Sequence, residues 1–246
     1  MSASAAEQAV RVNLAAAYRL AALNGWDDTI YTHISAAVPG EEGVYLINPF
    51  GLLFDEVCAS NLVKVNTRGE KLDDSPYDVN PTGFAIHGAI HAARPSAGCV
   101  LHLHTHWGMA LAMLPDGLLP TTQHAMRLFK RIGRHVYEGL ALGEAEAARL
   151  VANLGTLDGL ILENHGTLTV GASVAEAYML MHHLERAARA QLTAMAATGG
   201  AVLQTSDAVA QHTYRQWVGD GSERDGDAEW PALLRRLDKI DPSYRS

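Results

Sequence analysis

The stretch Cys99-Val100-Leu101-His102-Leu103-His104-Thr105-His106-Trp107-Gly108 constrains the fold more than any other part of the chain. Val100 to His104 is an apolar run broken by two histidines. A strand sends residues i and i+2 to one face, so His102 and His104 stand side by side, about 7 Å apart at the backbone. Two imidazoles on an otherwise apolar strand need partners, and one shared cation satisfies both. A third ligand is offered by Leu160-Ile161-Leu162-Glu163-Asn164-His165-Gly166, a short apolar run ending near His165, with Gly166 permitting a tight turn behind it. The central expectation is a divalent-metal site on His102, His104 and His165. Neutral imidazole suits zinc first, and also manganese, iron or cobalt.

Other histidines compete for roles. His106 shares the parity of His102 and His104, but Trp107-Gly108 ends the strand there, which puts it beside the metal, toward a substrate or in a merely structural role instead of among the ligands. His87 and His91 lie four apart on a helix opening at Pro81, the spacing at which two ligands share a helix face. They form a second candidate metal pair. A zincin helix would need glutamate at position 88, where this chain has Gly88, so hydrolysis of that type is not expected. There is no glycine-rich phosphate loop: Gly199-Gly200 ends a helix instead of opening one. No nucleophile elbow is present, and neither Cys58 nor Cys99 has a histidine immediately beside it in sequence.

Composition bounds the rest. A chain of 246 residues, 48% hydrophobic and 19% charged, with no shift in composition between its halves, reads as one globular domain. A formal net charge of −8 and basic runs no longer than the pairs Lys130-Arg131 and Arg235-Arg236 exclude a nucleic-acid binder, which needs a basic face. Two cysteines are too few for a disulfide framework and fit a reducing compartment. The opening Met1-Ser2-Ala3-Ser4-Ala5-Ala6-Glu7 lacks a basic leader region, and no run approaches the length of a membrane span. A cytoplasmic protein with small-molecule partners and no membrane contact is expected.

Helical spacing of Val10, Leu14, Ala17 and Ala21 predicts a helix over residues 5–24, stopped by Asn24-Gly25. Residues 29–38 and 43–47 read as a β-hairpin around Pro39-Gly40, and residues 62–66 and 69–72 as a second one. A helix from Pro81 to about Arg94, a short helix over 107–114, a helix over 142–154, a strand at 167–170 and an alanine-rich helix over 174–197 follow. Residues 118–136 show no readable pattern. Beyond Gly199-Gly200 an acidic, glycine-containing break over 219–227 precedes a helix from Pro231 to Ile240. Early hairpins combined with later strand-helix alternation predict a mixed sheet flanked by helices.

In this order, Thr32-His33-Ile34-Ser35, Gly83-Phe84-Ala85-Ile86-His87, Ala92-Ala93-Arg94-Pro95, His102-Leu103-His104 and Asn164-His165-Gly166 resemble the class II aldolase/adducin family, over about residues 8 to 200. The resemblance implies a three-layer α/β/α fold with a mixed, largely antiparallel central sheet. It further implies one domain over 1–246 with a helical extension from about 204, metal on His102, His104 and His165, and a homotetramer with sites between subunits. The sugar-phosphate aldolases of the family carry a catalytic glutamate where this chain has Gly83, which has no side chain to move a proton. At the places of their phosphate-binding hydroxyl residues stand Asn48-Pro49-Phe50-Gly51 and Pro81-Thr82, which argues against a phosphorylated sugar.

Without that glutamate, a bound divalent cation still polarises a carbonyl next to the carbon bond that breaks. Decarboxylation then needs an acid and no general base. The expected activity is a metal-dependent carbon-carbon lyase, aldolase or decarboxylase, acting on a non-phosphorylated hydroxy or keto carboxylate, with His106 and His124 as candidate proton donors. The alternatives are an iron-dependent oxygenase, since three histidines leave open positions for oxygen, and a non-catalytic adducin-like interaction module.

Overall fold

Helix α1 (Ala5–Leu23) begins where the Ser4 hydroxyl accepts the Glu7 amide at 3.1 Å and ends at Asn24, followed by Gly25 at φ 66°. In the computed structural model, which describes residues 3–139, 143–219 and 225–246, the expected hairpin follows as β1 (His33–Ala37) and β2 (Val44–Ile47). β3 (Val63–Asn66) extends it on the outer side of β2. The strand expected over 69–72 does not form. Lys71 makes only an isolated bridge to Val65, because β3 finds its partner in β2, where Val63 and Val65 bury against Tyr45 and Ile47.

Next come α2 (Pro81–Ala93), β4 (Cys99–Leu103) and α3 (His106–Ala112), the last opened by the Thr105 hydroxyl accepting the Gly108 amide. Residues 118–136 contain α4 (Gln123–Arg127) and β5 (Ile132–His135), elements too short to impose a readable period on the sequence. α5 (Glu144–Leu154), β6 (Gly159–Leu162) and β7 (Gly166–Gly171) lead into α6 (Val174–Thr198), which runs from a Ser173 cap to a left-handed Gly199. Leu142, the expected start of α5, lies outside the described residues. α7 (Asp207–Val218) falls within the helical extension expected from about 204, although no apolar spacing marks it in the sequence: only Ala210 of it is buried. α8 (Glu229–Ile240) starts two residues before Pro231, which sits in its first turn. Most of the break expected over 219–227 lies outside the described residues.

The seven strands form one sheet in the order β3-β2-β1-β4-β7-β6-β5, antiparallel at every pairing except β5 with β6. One face packs Ile34, Ala36, Cys99, Leu101 and Leu103 against α1 and α6. The other packs Val100, Leu160, Leu162, Leu168 and Val170 against Ile86 and Ile90 of α2 and Leu150 and Leu154 of α5. This is the mixed, largely antiparallel α/β/α sandwich expected. Strand alternation sorts the polar residues too: His33, Ser35 and His102 take the α2 face because Ile34, Leu101 and Leu103 take the other. Among the described residues no helix is long and apolar enough to cross a membrane.

Candidate metal centre

β4 stops at Leu103, one residue short of His104, yet the His102 and His104 rings still lie 4.9 Å apart, centre to centre. His165 sits in the turn between β6 and β7. The turn's left-handed residue is Asn164, at φ 54°, and not Gly166 as the sequence suggests. Gly166 serves a different need: a Cβ there would lie 2.6 Å from the Leu103 carbonyl oxygen and 3.1 Å from the His104 ring. Glycine lets β7 close on the end of β4, and the His165 ring arrives 4.7 Å from His102 and 4.8 Å from His104. The three candidate ligand atoms lie within 4.8 Å of one another.

Hydrogen bonds behind the rings fix which nitrogens face inward. His102 Nδ1 donates to the Thr167 carbonyl at 3.2 Å, and His104 Nδ1 donates to the Asp28 carboxylate at 2.8 Å. A neutral imidazole has one N–H, so Nε2 of each ring is a bare lone pair. His104 Nε2 is buried and has no hydrogen-bond partner among the described residues. Such an orphan costs about 1–3 kcal/mol unless something binds it. Burial holds the His102 pKa well below its ordinary value and lowers that of His165 to about 4, so both are unprotonated ligands at neutral pH. Buried lone pairs backed by a carboxylate and a carbonyl are the chemistry a divalent cation requires, and the residues fit one.

Two neighbours escape a reading of the sequence. Asp28, in the loop after α1, lies 76 residues from His104 in the chain, and no local pattern links them. His33 pairs directly across from His102 in the β1–β4 register, with the rings 5.2 Å apart. Its signal was legible, since His33 and Ser35 repeat the i, i+2 spacing of His102 and His104. The residue before it, Thr32, is held at φ 64° with its hydroxyl buried and unpaired. A β-branched residue there stores about 1–3 kcal/mol of strain. At Gly83 a Cβ would come within 2.9 Å of the His33 ring, so that ring stands where a side chain at position 83 would begin.

His87 and His91 do not join the three histidines. Their nitrogens are committed to His33, to the Ser35 hydroxyl and to the Ala97 carbonyl. His106 is exposed on the first turn of α3, edge-on to Trp107. His124, on α4, stacks on His183 of α6, with the two Nδ1 atoms 3.3 Å apart. A cleft beside His165 is lined by His135, Tyr137, Glu146 and Glu163. A cavity of about 910 Å³ opens at the Gly98 end of β4, the opposite end from the three histidines.

The family model described as Class II Aldolase and Adducin N-terminal domain matches residues 12–192. A Pseudomonas aeruginosa protein named for the class 2 aldolases is 48% identical over 98% of this chain and 94% of its own length. Alpha-adducin of Rattus norvegicus is 40% identical over 98% of this chain, which spans 34% of that protein. Among solved structures, an aldolase II superfamily protein from Pseudomonas syringae superposes with a TM-score of 0.94 at 46% identity, over 99% of this chain and 97% of that one. The L-fuculose 1-phosphate aldolase of Glaciozyma antarctica does so with a TM-score of 0.84 at 27% identity, over 98% of this chain and 93% of that one.

Proposed function

We propose that this chain, which belongs to the class II aldolase/adducin N-terminal domain family, is a divalent-metal-dependent carbon-carbon lyase, an aldolase or decarboxylase, acting on a non-phosphorylated hydroxy or keto carboxylate. His102, His104 and His165 hold the metal through the three converging rings, zinc being the first candidate and manganese, iron or cobalt the others. The observation that carries the reading is the buried, partnerless Nε2 of His104 with Asp28 fixed on its other nitrogen. A cation bound there supplies Lewis acidity toward a carbonyl or carboxylate oxygen of the substrate.

This chain's own residues then define what binds. Asn48 offers no hydroxyl for a phosphate: it is a buried amide whose Oδ1 accepts the Tyr18 hydroxyl at 2.8 Å. Phosphate recognition of the kind named for the Glaciozyma enzyme is therefore not part of the proposal. His106 and His124 are its candidate proton donors. His106 reaches solvent two residues after His104, whereas the His124 pKa is pushed down by burial and by Arg186 and Arg127. The proposal includes a cytoplasmic homotetramer and one catalytic unit over 1–246, with α7 and α8 as its extension.

The competing reading, a non-catalytic interaction module, draws on the 40% identity to alpha-adducin. Elemental analysis of the untagged protein separates the two. Stoichiometric divalent metal, together with metal-dependent release of an aldehyde or carbon dioxide from hydroxy or keto acids, is the expected result. Protein that stays metal-free after incubation with zinc, manganese, iron and cobalt overturns the lyase. Oxygen uptake during turnover would instead favour the oxygenase.

A further inference from the structure

On the α2 face of the sheet, four side chains form one hydrogen-bonded chain whose polarity is fixed at its far end. The Ala97 carbonyl oxygen can only accept, so His91 Nδ1, 3.1 Å away, carries the hydrogen. Burial lowers the His91 pKa to about 4, so the ring is neutral and its Nε2 accepts the Ser35 hydroxyl at 2.8 Å. Having donated its only hydrogen, Ser35 Oγ accepts His87 Nδ1–H at 2.6 Å. His87 is buried and neutral as well, and its Nε2 accepts His33 Nδ1–H at 2.8 Å. The remaining nitrogen, His33 Nε2, is left as a bare lone pair. Its ring lies 5.2 Å from that of His102, opposite His102 in register, but His33 is not among the three residues whose ligand atoms cluster. It therefore stands beside the metal ligands as an acceptor.

We propose that His33 is a ligand-binding residue of this site: its hydrogen-free Nε2 accepts a hydrogen bond from a hydroxyl group of the bound acid, and the chain through His87, Ser35 and His91 to Ala97 holds it in that form. The inference rests on the metal-site reading and narrows its substrate class to hydroxy carboxylates. A keto oxygen brings no hydrogen and sets lone pair against lone pair. Gly83 is part of the same arrangement, since any Cβ at that position would meet the His33 ring at 2.9 Å. Ser35, His87 and His91 are positioning residues, acting through His33.

Two measurements test this. ¹⁵N NMR of histidine-labelled, metal-free protein reads the tautomers directly: His33, His87 and His91 are expected as Nδ1–H forms, and Ser35→Ala should release His87 and His33 into mixed tautomers. An Nε2–H form of His33 overturns the proposal. Calorimetry on the zinc-loaded protein then compares lactate with pyruvate, which differ only in hydroxyl against keto. Lactate should bind about tenfold tighter, the size of one unmade hydrogen bond, and His33→Leu should bring the two within about twofold. A wild type that binds both equally or neither, or an unchanged preference in a His33→Leu protein that still takes up zinc, overturns the role of His33 alone. Failure of the wild type to bind zinc, or any of the other candidate metals, overturns the metal reading and the role of His33 with it.

Discussion

Two groups of histidines lie on opposite sides of the sheet, and we propose that only the first holds a cation. In the first, His102 and His104 point bare Nε2 atoms inward while the Thr167 carbonyl and the Asp28 carboxylate take their Nδ1 hydrogens. In the second, His124 and His183 meet Nδ1 to Nδ1 at 3.3 Å, and burial together with Arg127 drives the His183 pKa down to about 3. His183 Nε2 is also buried and without a partner among the described residues, so an orphan nitrogen does not by itself make a ligand. What stands behind and beside the ring decides. Acceptors make the first group electron-rich, whereas the guanidinium groups of Arg127 and Arg186 around the second repel a cation.

The largest expected effect is on metal binding. His104→Ala should abolish stoichiometric zinc uptake with the circular dichroism spectrum retained, and His183→Ala should leave uptake intact; zinc lost from the second variant and kept by the first would reverse the assignment. Stability should behave the other way round. Asp225 is paired with both Arg127 and Arg131, each about nine-tenths buried, so Asp225→Ala leaves Arg127 with only Glu229 at 3.8 Å, while Arg131 keeps Asp158, and should cost about 3 kcal/mol in denaturant unfolding without altering zinc affinity.

Acid sharpens the contrast more gently. His91 titrates near 4 when folded against an ordinary 6.5, so between those values the unfolded chain binds more protons and stability falls as pH drops from 6.5 toward 4. The loss from this residue is at most about 3 kcal/mol, and thermal melts of His91→Gln across that window should be correspondingly flatter. Smallest of all, Asp28→Asn keeps a hydrogen-bonding group but removes the charge behind His104. Zinc affinity measured by competitive chelation should fall about 10- to 100-fold, with the melting temperature of the metal-free protein unchanged.

Elements long enough to repeat a period, or bounded by a cap, were legible along the chain: α1 between Ser4 and Asn24, α6 between Ser173 and Gly199, and the β1–β2 hairpin. α4 and β5, short and without an apolar run, were not, and α7, which buries only Ala210, was legible only as part of the helical extension expected from about 204. The apolar run and Gly166 mark the place of the turn before β7, but the glycine does not make the turn. Asn164 supplies the left-handed backbone, and Gly166 is required by the approach of a strand more than sixty residues away in the chain.

The chain alone sufficed to put His102 and His104 on one face, to place His165 just after an apolar run, and to show that Gly83 offers no side chain for proton transfer, because strand parity and side-chain chemistry are properties of a residue and its near neighbours. Tertiary structure alone decided that Asp28 stands behind His104, that His33 faces His102, and that the chain from Ala97 leaves His33 Nε2 without a hydrogen. Those facts depend on which strands pair, in which register and across which loop, and packing over the whole chain selects that pairing where no local pattern can.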